Sequence, residues 1–227
     1  DEFETLVRNA DPGASWRTVP ALRGSVLAFG SEGAMTRTAD LDEIPDGAWA
    51  LRGERGLTYA DRLPEGNELT EGTWWGPMYA GEPLVSVDED FADAAGLKVG
   101  DMLTFGVLGV ERTARIANLR RIDWESMGFN YVFVLSPNAL QDAPHNLAAT
   151  VELSRGTPTG PLLQSLVAAL PSTSVIEVGG VLEQARTILE QVGFATLAAA
   201  SVAVLAGLAV LLGAIAAARA ARTYDTV

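Results

Sequence analysis

The chain carries one long uncharged run near its carboxyl end, which reads VGFATLAAASVAVLAGLAVLLGAIAAA from Val192 to Ala218. The run is apolar all round, whereas a helix on the surface of a water-soluble protein has a polar stripe. As a helix it extends about 40 Å at ~1.5 Å per residue, which exceeds the roughly 30 Å hydrocarbon core of a bilayer. We therefore predict a transmembrane helix over residues 192–218.

Charges on either side of this run predict its orientation. The chain has a formal net charge of -13, and the tail after Ala218 contributes +1, which leaves -14 for everything before it. Two arginines follow the run directly, as the positive-inside rule expects of a cytoplasmic end. We therefore expect the acidic part to lie on the outer side of the membrane, with residues 219–227 beginning a cytoplasmic segment. Its negative charge disfavours nucleic acid as a partner.

Residues 1–180 predict one mixed α+β domain outside the membrane, followed by a long stalk and transmembrane helix. A helix is expected over Glu2–Ala10, a strand over residues 19–29, and short strands and loops between residues 30 and 81. Residues 83–140 predict a small β-rich unit, with strands at 84–87, 102–107, 111–119 and 131–135 and a helix at 89–95. Residues 147–179 predict a β-α-β unit, with strands at 148–153 and 175–178 and a helix at 160–170.

A stalk helix is expected directly before the membrane. Apolar residues at helical spacing mark one face between Val181 and Val192, and no helix breaker separates residues 181–191 from the run that follows. The sequence therefore predicts a continuous rod that transmits displacement between the outer domain and the bilayer.

Chemistry that would make this chain an enzyme is scarce in the sequence. It has no G-x-x-x-x-G-K-[ST] phosphate loop, so any ATPase is expected on another polypeptide. His145 is the only histidine, and we expect it in a solvated loop. Acidic pairs at Asp40/Asp42 and Asp88/Asp90 lack the pattern of a calcium loop. We predict no catalytic residues, no metal and no cofactor.

Two sets of residues are candidates for contacts with partners. Arginines, acids and a tryptophan crowd the end of a predicted strand, which suggests either a partner-docking patch or a paired turn that is purely structural; the patch comprises Arg120, Arg121, Asp123, Trp124 and Asn130. Small residues recur every fourth position of the membrane run and favour close packing of another helix: Ala195, Ala199, Ala203 and Gly207. Chance in an alanine-rich helix explains this second pattern equally well.

Several stretches resemble the FtsX-like, MacB-related permeases of ABC transporters, and within them the YbbP-type branch. The most specific is LRRIDWESMGFN from Leu119 to Asn130, which we call the signature segment and which is similar to the branch pattern L-R-x-V-D-W-x-S-M-x-x-N-F. Ile122 and Tyr131 depart from that pattern. Further matching stretches keep the family order along the chain: residues 20–25, 57–60, 63–66, 72–75 and 85–101.

This resemblance implies a permease subunit that works with a separate cytoplasmic ATPase and is not itself an enzyme. Relatives act by mechanotransmission, in which ATP-driven motion of transmembrane helices moves a periplasmic domain. Further transmembrane helices of the same permease, a dimeric assembly and a periplasmic lipoprotein, peptide or lipid-related substrate are expected. The chain's last residues resemble the entry to the segment that contacts the ATPase, so Arg222, Tyr224 and Asp225 are expected near that interface.

Two other functions remain open at this stage. One is a membrane-anchored periplasmic hydrolase that uses His145 or an acidic pair, and the other is a single-span binding or adhesion protein. The chain lacks an export signal at Asp1, so we expect a segment upstream of it.

Overall fold

The computed structural model describes residues 2–124, 128–177, 191–194, 196–197, 200–201 and 204. It divides into two compact units, residues 13–155 and residues 1–12 together with 156–227. The predicted boundaries at residues 180, 191 and 218 lie outside the described residues or within this second unit, and they stay predictions.

Strands dominate the described residues, and helices are few. The strands are β1 (Ser15–Ser31), β2 (Ala34–Arg37), β3 (Arg55–Tyr59), β4 (Asn67–Gly72), β5 (Leu84–Asp88), β6 (Met102–Val107), β7 (Val110–Ile122), β8 (Phe133–Leu135) and β9 (Asn146–Glu152). The α-helices are α1 (Glu2–Ala10), α2 (Glu89–Ala95), α3 (Pro137–Leu140) and α4 (Thr159–Ala169), and short 3-10 turns lie at Thr38–Asp40 and Trp49–Leu51. The predicted mixed character is confirmed.

The larger unit is built on a sheet whose pairing path closes on itself. β1 pairs with β3, β3 with β8, β8 with β5, β5 with β7, β7 with β6, and β6 returns to β1. The β3–β8 and β5–β7 pairs are parallel and the others are antiparallel. β1 pairs with several strands because it is 17 residues long and contains a bulge between Val26 and Ala28.

One hydrophobic core fills the space that this sheet encloses. Phe133 of β8 is fully buried, and its ring lies 5.1 Å from Phe91 of α2 and 5.2 Å from Phe105 of β6, both edge-on. Alternate residues of the neighbouring strands complete the core, among them Leu22, Val26, Leu57, Val85, Val87, Leu103 and Ile116. Gly24 is required within it because a Cβ there would lie 2.7 Å from Leu57 Cδ1 and 2.8 Å from the carbonyl oxygen of Gly106.

The predicted elements of this unit agree closely with the observed ones, and one differs for a clear reason. The predicted strand at 131–135 begins only at Phe133. The carbonyl groups of Tyr131 and Val132 are instead bonded to the side chain of Arg120 and, at Val132, to the amide of Asp88. A side-chain partner therefore replaces the strand ladder at Tyr131, whereas at Val132 it adds to a backbone bond from the amide of Asp88.

The predicted local β-α-β unit is not formed among the described residues. β9 pairs antiparallel with Ser15–Ala21 of β1, which is more than 120 residues away in the chain. After α4, residues 173–177 are exposed and belong to no strand, although a second strand was expected at 175–178. The strand that pairs with β9 is thus distant in the sequence. Local patterns around β9 do not identify this partner, because register is set only when the two segments meet.

The second unit contains α1 and α4. The buried side chains of these helices are Val7 on α1 and Leu162 and Leu166 on α4. Thr157 donates a hydrogen bond of 3.4 Å to the carboxylate of Asp11. Residues 191–194, 196–197, 200–201 and 204 are helical, and the rest of the predicted stalk and transmembrane helix lies outside the described residues. No helix of the described part is long and apolar enough to span a bilayer.

The hairpin between β6 and β7 carries a residue in an unfavourable conformation. Leu108 has φ 50° and is 68% exposed, and it precedes Gly109 at φ 80° in a two-residue turn. Asparagine is favoured at the first position of such a turn because it tolerates the left-handed region.

We expect Leu108→Asn to raise the free energy of unfolding by about 1 kcal/mol. Urea denaturation measures the change. Val110→Asn is the control, since Val110 is also exposed but lies in extended strand, where asparagine brings no gain. A loss of stability in Leu108→Asn would show that the turn does not need a residue suited to positive φ.

Candidate partner-docking surface

The signature segment begins on β7, where successive side chains point to opposite faces of the sheet. Arg120 is fully buried, whereas the side chain of Arg121 is 65% exposed. Arg121 bonds Glu89 of α2 at 2.9 Å. This exposed ion pair stabilises the fold by at most about 1 kcal/mol. The two adjacent arginines therefore have different roles.

Arg120 holds the chain that follows the signature segment. Its Nη2 donates to the carbonyl oxygens of Tyr131 and, at 3.2 Å, Val132. Its Nε and Nη1 have no hydrogen-bond partner among the residues that the structure describes. Burial lowers the pKa of Arg120 to about 10, and the nearby carboxylate of Asp88 opposes this change. The guanidinium therefore stays charged at neutral pH and clamps residues 131–132.

Asp88 lies at the end of β5 and faces this clamp. Burial raises the pKa of its carboxyl group, the positive charge of Arg120 lowers it, and Asp90 raises it again. The backbone amide of Asp88 also donates to the carbonyl of Val132 at 3.1 Å. Asp88 and Arg120 therefore hold the same short segment from two strands.

The two remaining polar residues of the patch, Asp123 and Asn130, form hydrogen bonds with backbone carbonyl groups. The amide of Asp123 donates to the carbonyl of Gly66 at 2.9 Å, and Asn130 Nδ2 donates to the carbonyl of Asp123 at 3.0 Å. Trp124 follows Asp123 and is 49% exposed. The side chains of Trp124 and Arg121 are therefore exposed and accessible to a partner. Arg120 is buried and bonds the backbone of the chain that follows the signature segment.

An apolar cleft lies beside this loop. It is lined by residues of β1, of the end of β3, of the loop after β3, and of the chain at the end of the signature segment and just after it: Val19, Tyr59, Ala60, Pro64, Phe129 and Tyr131. Its volume is about 100 Å³. Arg17 and Glu65 form an ion pair at its rim. Burial raises the pKa of the Tyr131 hydroxyl, as an apolar environment requires.

Over 135 residues the chain is 30% identical to an uncharacterized ABC transporter permease, YbbP, of Escherichia coli strain K12. The chain is similar to an ABC transporter permease. This match confirms the predicted resemblance; it covers 60% of the chain but only 16% of the relative. No protein-family model matches the chain.

A solved domain assigned to a permease protein from Porphyromonas gingivalis was also found. It has 16% identity and a TM-score of 0.40, with 77% of this chain and 70% of that chain covered. The similarity to a permease therefore depends on the Escherichia coli relative.

Sequence reasoning missed a buried polar pair that joins β5 and β7. Ser86 of β5 donates to Asn118 Oδ1 of β7, and Asn118 Nδ2 donates to the carbonyl of Thr73 at 3.0 Å. Both side chains are fully buried. Their positions in alternation with the apolar core residues of β5 and β7 are the signal that would have found them.

Two tryptophans in the segment after β4 contact the loop that follows β3. Trp75 is 5% exposed and donates to the carbonyl of Ala60 at 2.7 Å, and Trp74 stacks on it with a ring separation of 4.1 Å. Trp74 donates to the carbonyl of Asp61 at 3.2 Å. The loop after β3, which forms one side of the cleft, is therefore fastened by two tryptophans.

His145 is placed in a structural hydrogen-bond network. Its Nδ1 donates to the carbonyl of Ala143 at 2.8 Å, which leaves Nε2 to accept from the Tyr59 hydroxyl at 3.2 Å. Neither partner is a serine or a carboxylate, so these contacts do not form the triad that the hydrolase alternative needs. Among the described residues, no group of three or more histidine, aspartate or glutamate side chains is arranged to hold a metal ion.

The other predicted contact residues lie outside the described residues. They are the helix-packing face Ala195, Ala199, Ala203 and Gly207, and the ATPase-proximal Arg222, Tyr224 and Asp225.

Proposed function

We propose that this chain is part of the permease subunit of an ABC transporter, and that a separate cytoplasmic ATPase drives its movement. The observation that carries the proposal is the 30% identity over 135 residues to a permease of that class. The chain spans only 16% of that relative, so the activity of the whole protein is part of this proposal.

Residues 1–180, which include the closed sheet of residues 13–155, are proposed as the periplasmic part that handles a lipoprotein, peptide or lipid-related substrate. Their support is physical: a closed, well-packed sheet makes a rigid body, and a rigid body transmits displacement without absorbing it. The uncharged run Val192–Ala218 and the stalk 181–191 are proposed as the link through which helix motion reaches that body. In this reading the chain is a transport component of the inner membrane, and ATP is hydrolysed on its partner.

The second element of the proposal is the docking of a partner by residues 123–124 and 128–132, which we call the signature loop. Trp124 is half-exposed on a loop whose backbone is held by Arg120, Asp88 and Gly66, and tryptophan and arginine are enriched among residues that dominate binding energy. Backbone that is already held at residues 123, 131 and 132 loses less conformational entropy there when a partner binds. We propose that Trp124 and Arg121 contact the partner directly and that Arg120, Asp123 and Asn130 position them.

Topology labelling tests the transporter assignment. The chain contains no cysteine, so a single cysteine at Met78, which is 93% exposed, reports one position without background from this region. In the whole membrane protein, we expect Met78→Cys to react with a membrane-impermeant maleimide on intact spheroplasts, because the domain lies outside.

Thr226→Cys is the matched control for this labelling. It follows the uncharged run, so we expect it to react only after the membrane is opened. Reaction of Thr226→Cys on intact spheroplasts, with Met78→Cys protected until lysis, would place the domain in the cytoplasm and end the transporter assignment.

A further inference from the structure

The apolar cleft beside the signature loop has the chemistry of a side-chain pocket. Two hydroxyl groups along it are already engaged: the Thr58 hydroxyl donates to the carbonyl of Pro20 at 2.7 Å, and the Tyr59 hydroxyl bonds His145. Arg17 and Glu65 pair with each other at the rim. What the cleft offers to an incoming group is therefore chiefly aliphatic and aromatic surface.

The size of the cleft restricts its occupant. Pockets for small molecules have volumes of roughly 300–1,000 Å³, whereas this cleft has about 100 Å³. A cavity of about 150 Å³ in another protein holds one benzene molecule. One aliphatic or phenyl side chain matches the available space, and a lipid acyl chain or a whole small-molecule substrate does not.

The charge of the surroundings restricts the occupant further. The chain carries a formal charge of -13; close to the cleft Glu65 is paired with Arg17 and Arg62 follows Asp61, so the negative potential comes from the chain as a whole. Such a surface repels anionic membrane headgroups and attracts cationic groups.

We propose that this cleft binds a single aliphatic or phenyl side chain of a polypeptide partner whose flanking residues are basic. The proposal deepens, and rests on, the docking role proposed for the signature loop, because Phe129 and Tyr131 link the cleft to that loop. The pocket supplies the anchor, and the exposed residues around it supply complementarity.

Peptide titration of the isotope-labelled 227-residue chain, followed by NMR, tests the proposal. The probe is the acetylated amide Lys-Lys-Leu-Lys-Lys, and its counterpart replaces leucine with alanine. We expect saturable shifts at residues 59–65 and 129–131 with the leucine peptide. Binding of the alanine peptide is expected to be about tenfold weaker, because the burial of the leucine side chain is lost.

Filled variants show whether the shifts arise from the cleft. Ala60→Leu places extra carbons in it and should weaken leucine-peptide binding at least tenfold, whereas Ala34→Leu on exposed β2 should leave binding unchanged. Val19→Phe fills the same space from β1 and serves if thermal unfolding shows that Ala60→Leu does not fold.

Several results would overturn the proposal. They are equal binding of the two peptides, full binding by a folded Ala60→Leu or Val19→Phe variant, or shifts of the same residues by phosphatidylglycerol vesicles in place of the peptide. A failure of this kind leaves the cysteine-labelling result intact, so it is distinguishable from failure of the transporter assignment.

Discussion

Replacing Arg120 with alanine is expected to lower the free energy of unfolding by about 3 kcal/mol, because a fully buried side chain and its hydrogen bonds to two backbone carbonyls are lost. The loss has two physical sources. The carbonyl of Tyr131 loses its guanidinium donor, and Asp88 is left buried without the positive charge that opposes its desolvation. Urea denaturation of the 227-residue chain measures the change.

Arg121→Ala is the matched control, because the two arginines are adjacent on β7 and differ in burial. Arg121 forms an exposed ion pair with Glu89, so we expect a loss below about 1 kcal/mol. Equal losses in the two variants would mean that the clamp on residues 131–132 contributes nothing specific.

The cost of Arg120→Ala is also expected to depend on pH. The folded-state pKa of Asp88 is raised by burial, so this group favours the folded state at low pH and that contribution is lost as pH rises through the folded pKa. Without Arg120 that pKa rises further. The stability difference between the two proteins should therefore be smaller below the unfolded-state pKa of 3.8 than at neutral pH. A difference that stays constant with pH would contradict coupling between Arg120 and Asp88.

Phe133→Ala is expected to cost about 3–5 kcal/mol, the range for removing a buried phenylalanine. Phe133 is fully buried in β8 between β3 and β5, and its edge-on contacts with Phe91 and Phe105 join helix and sheet at the centre of the core. Few neighbours can move into the space because the surrounding strands close on each other. The shift of the denaturation midpoint at constant slope reports this loss.

Phe129→Ala provides the comparison at four residues' distance. Phe129 is half-buried in a wall of the apolar cleft and lies outside the core. Its loss should cost about 1 kcal/mol and should weaken binding of the leucine peptide. If Phe129→Ala destabilised the chain as much as Phe133→Ala, the cleft would be part of the folding core and not a surface site.

Local elements were predictable because their signals are local. Helix α2 over Glu89–Ala95, the turn at Gly100 with φ 97° and the β6–β7 hairpin all follow from short-range periodicity and turn residues. The clamp was not predictable in this way. Arg120 and Arg121 are identical in type, and only the register of β7 against β5 and β4 decides which one is buried.

The same reason explains why the predicted docking patch divides into accessible and supporting residues. The sequence identified Arg120, Arg121, Asp123, Trp124 and Asn130 as one cluster, and the structure separates Arg121 and Trp124, which are exposed, from Arg120, which is buried. The sequence alone does not reveal the cleft, because the residues that line it are far apart in the chain, for example Val19, Tyr59 and Tyr131.

By itself, the sequence determined the strand-rich mixed class, most element positions, the uncharged run at residues 192–218 and the resemblance to ABC permeases, because composition, periodicity and motif are properties of neighbouring residues. Tertiary structure alone decided that β9 pairs with the start of β1, that the sheet closes, and that Arg120 is enclosed while Trp124 is exposed. Each of these depends on pairing between segments far apart in the chain, and strand register is set only when those segments meet.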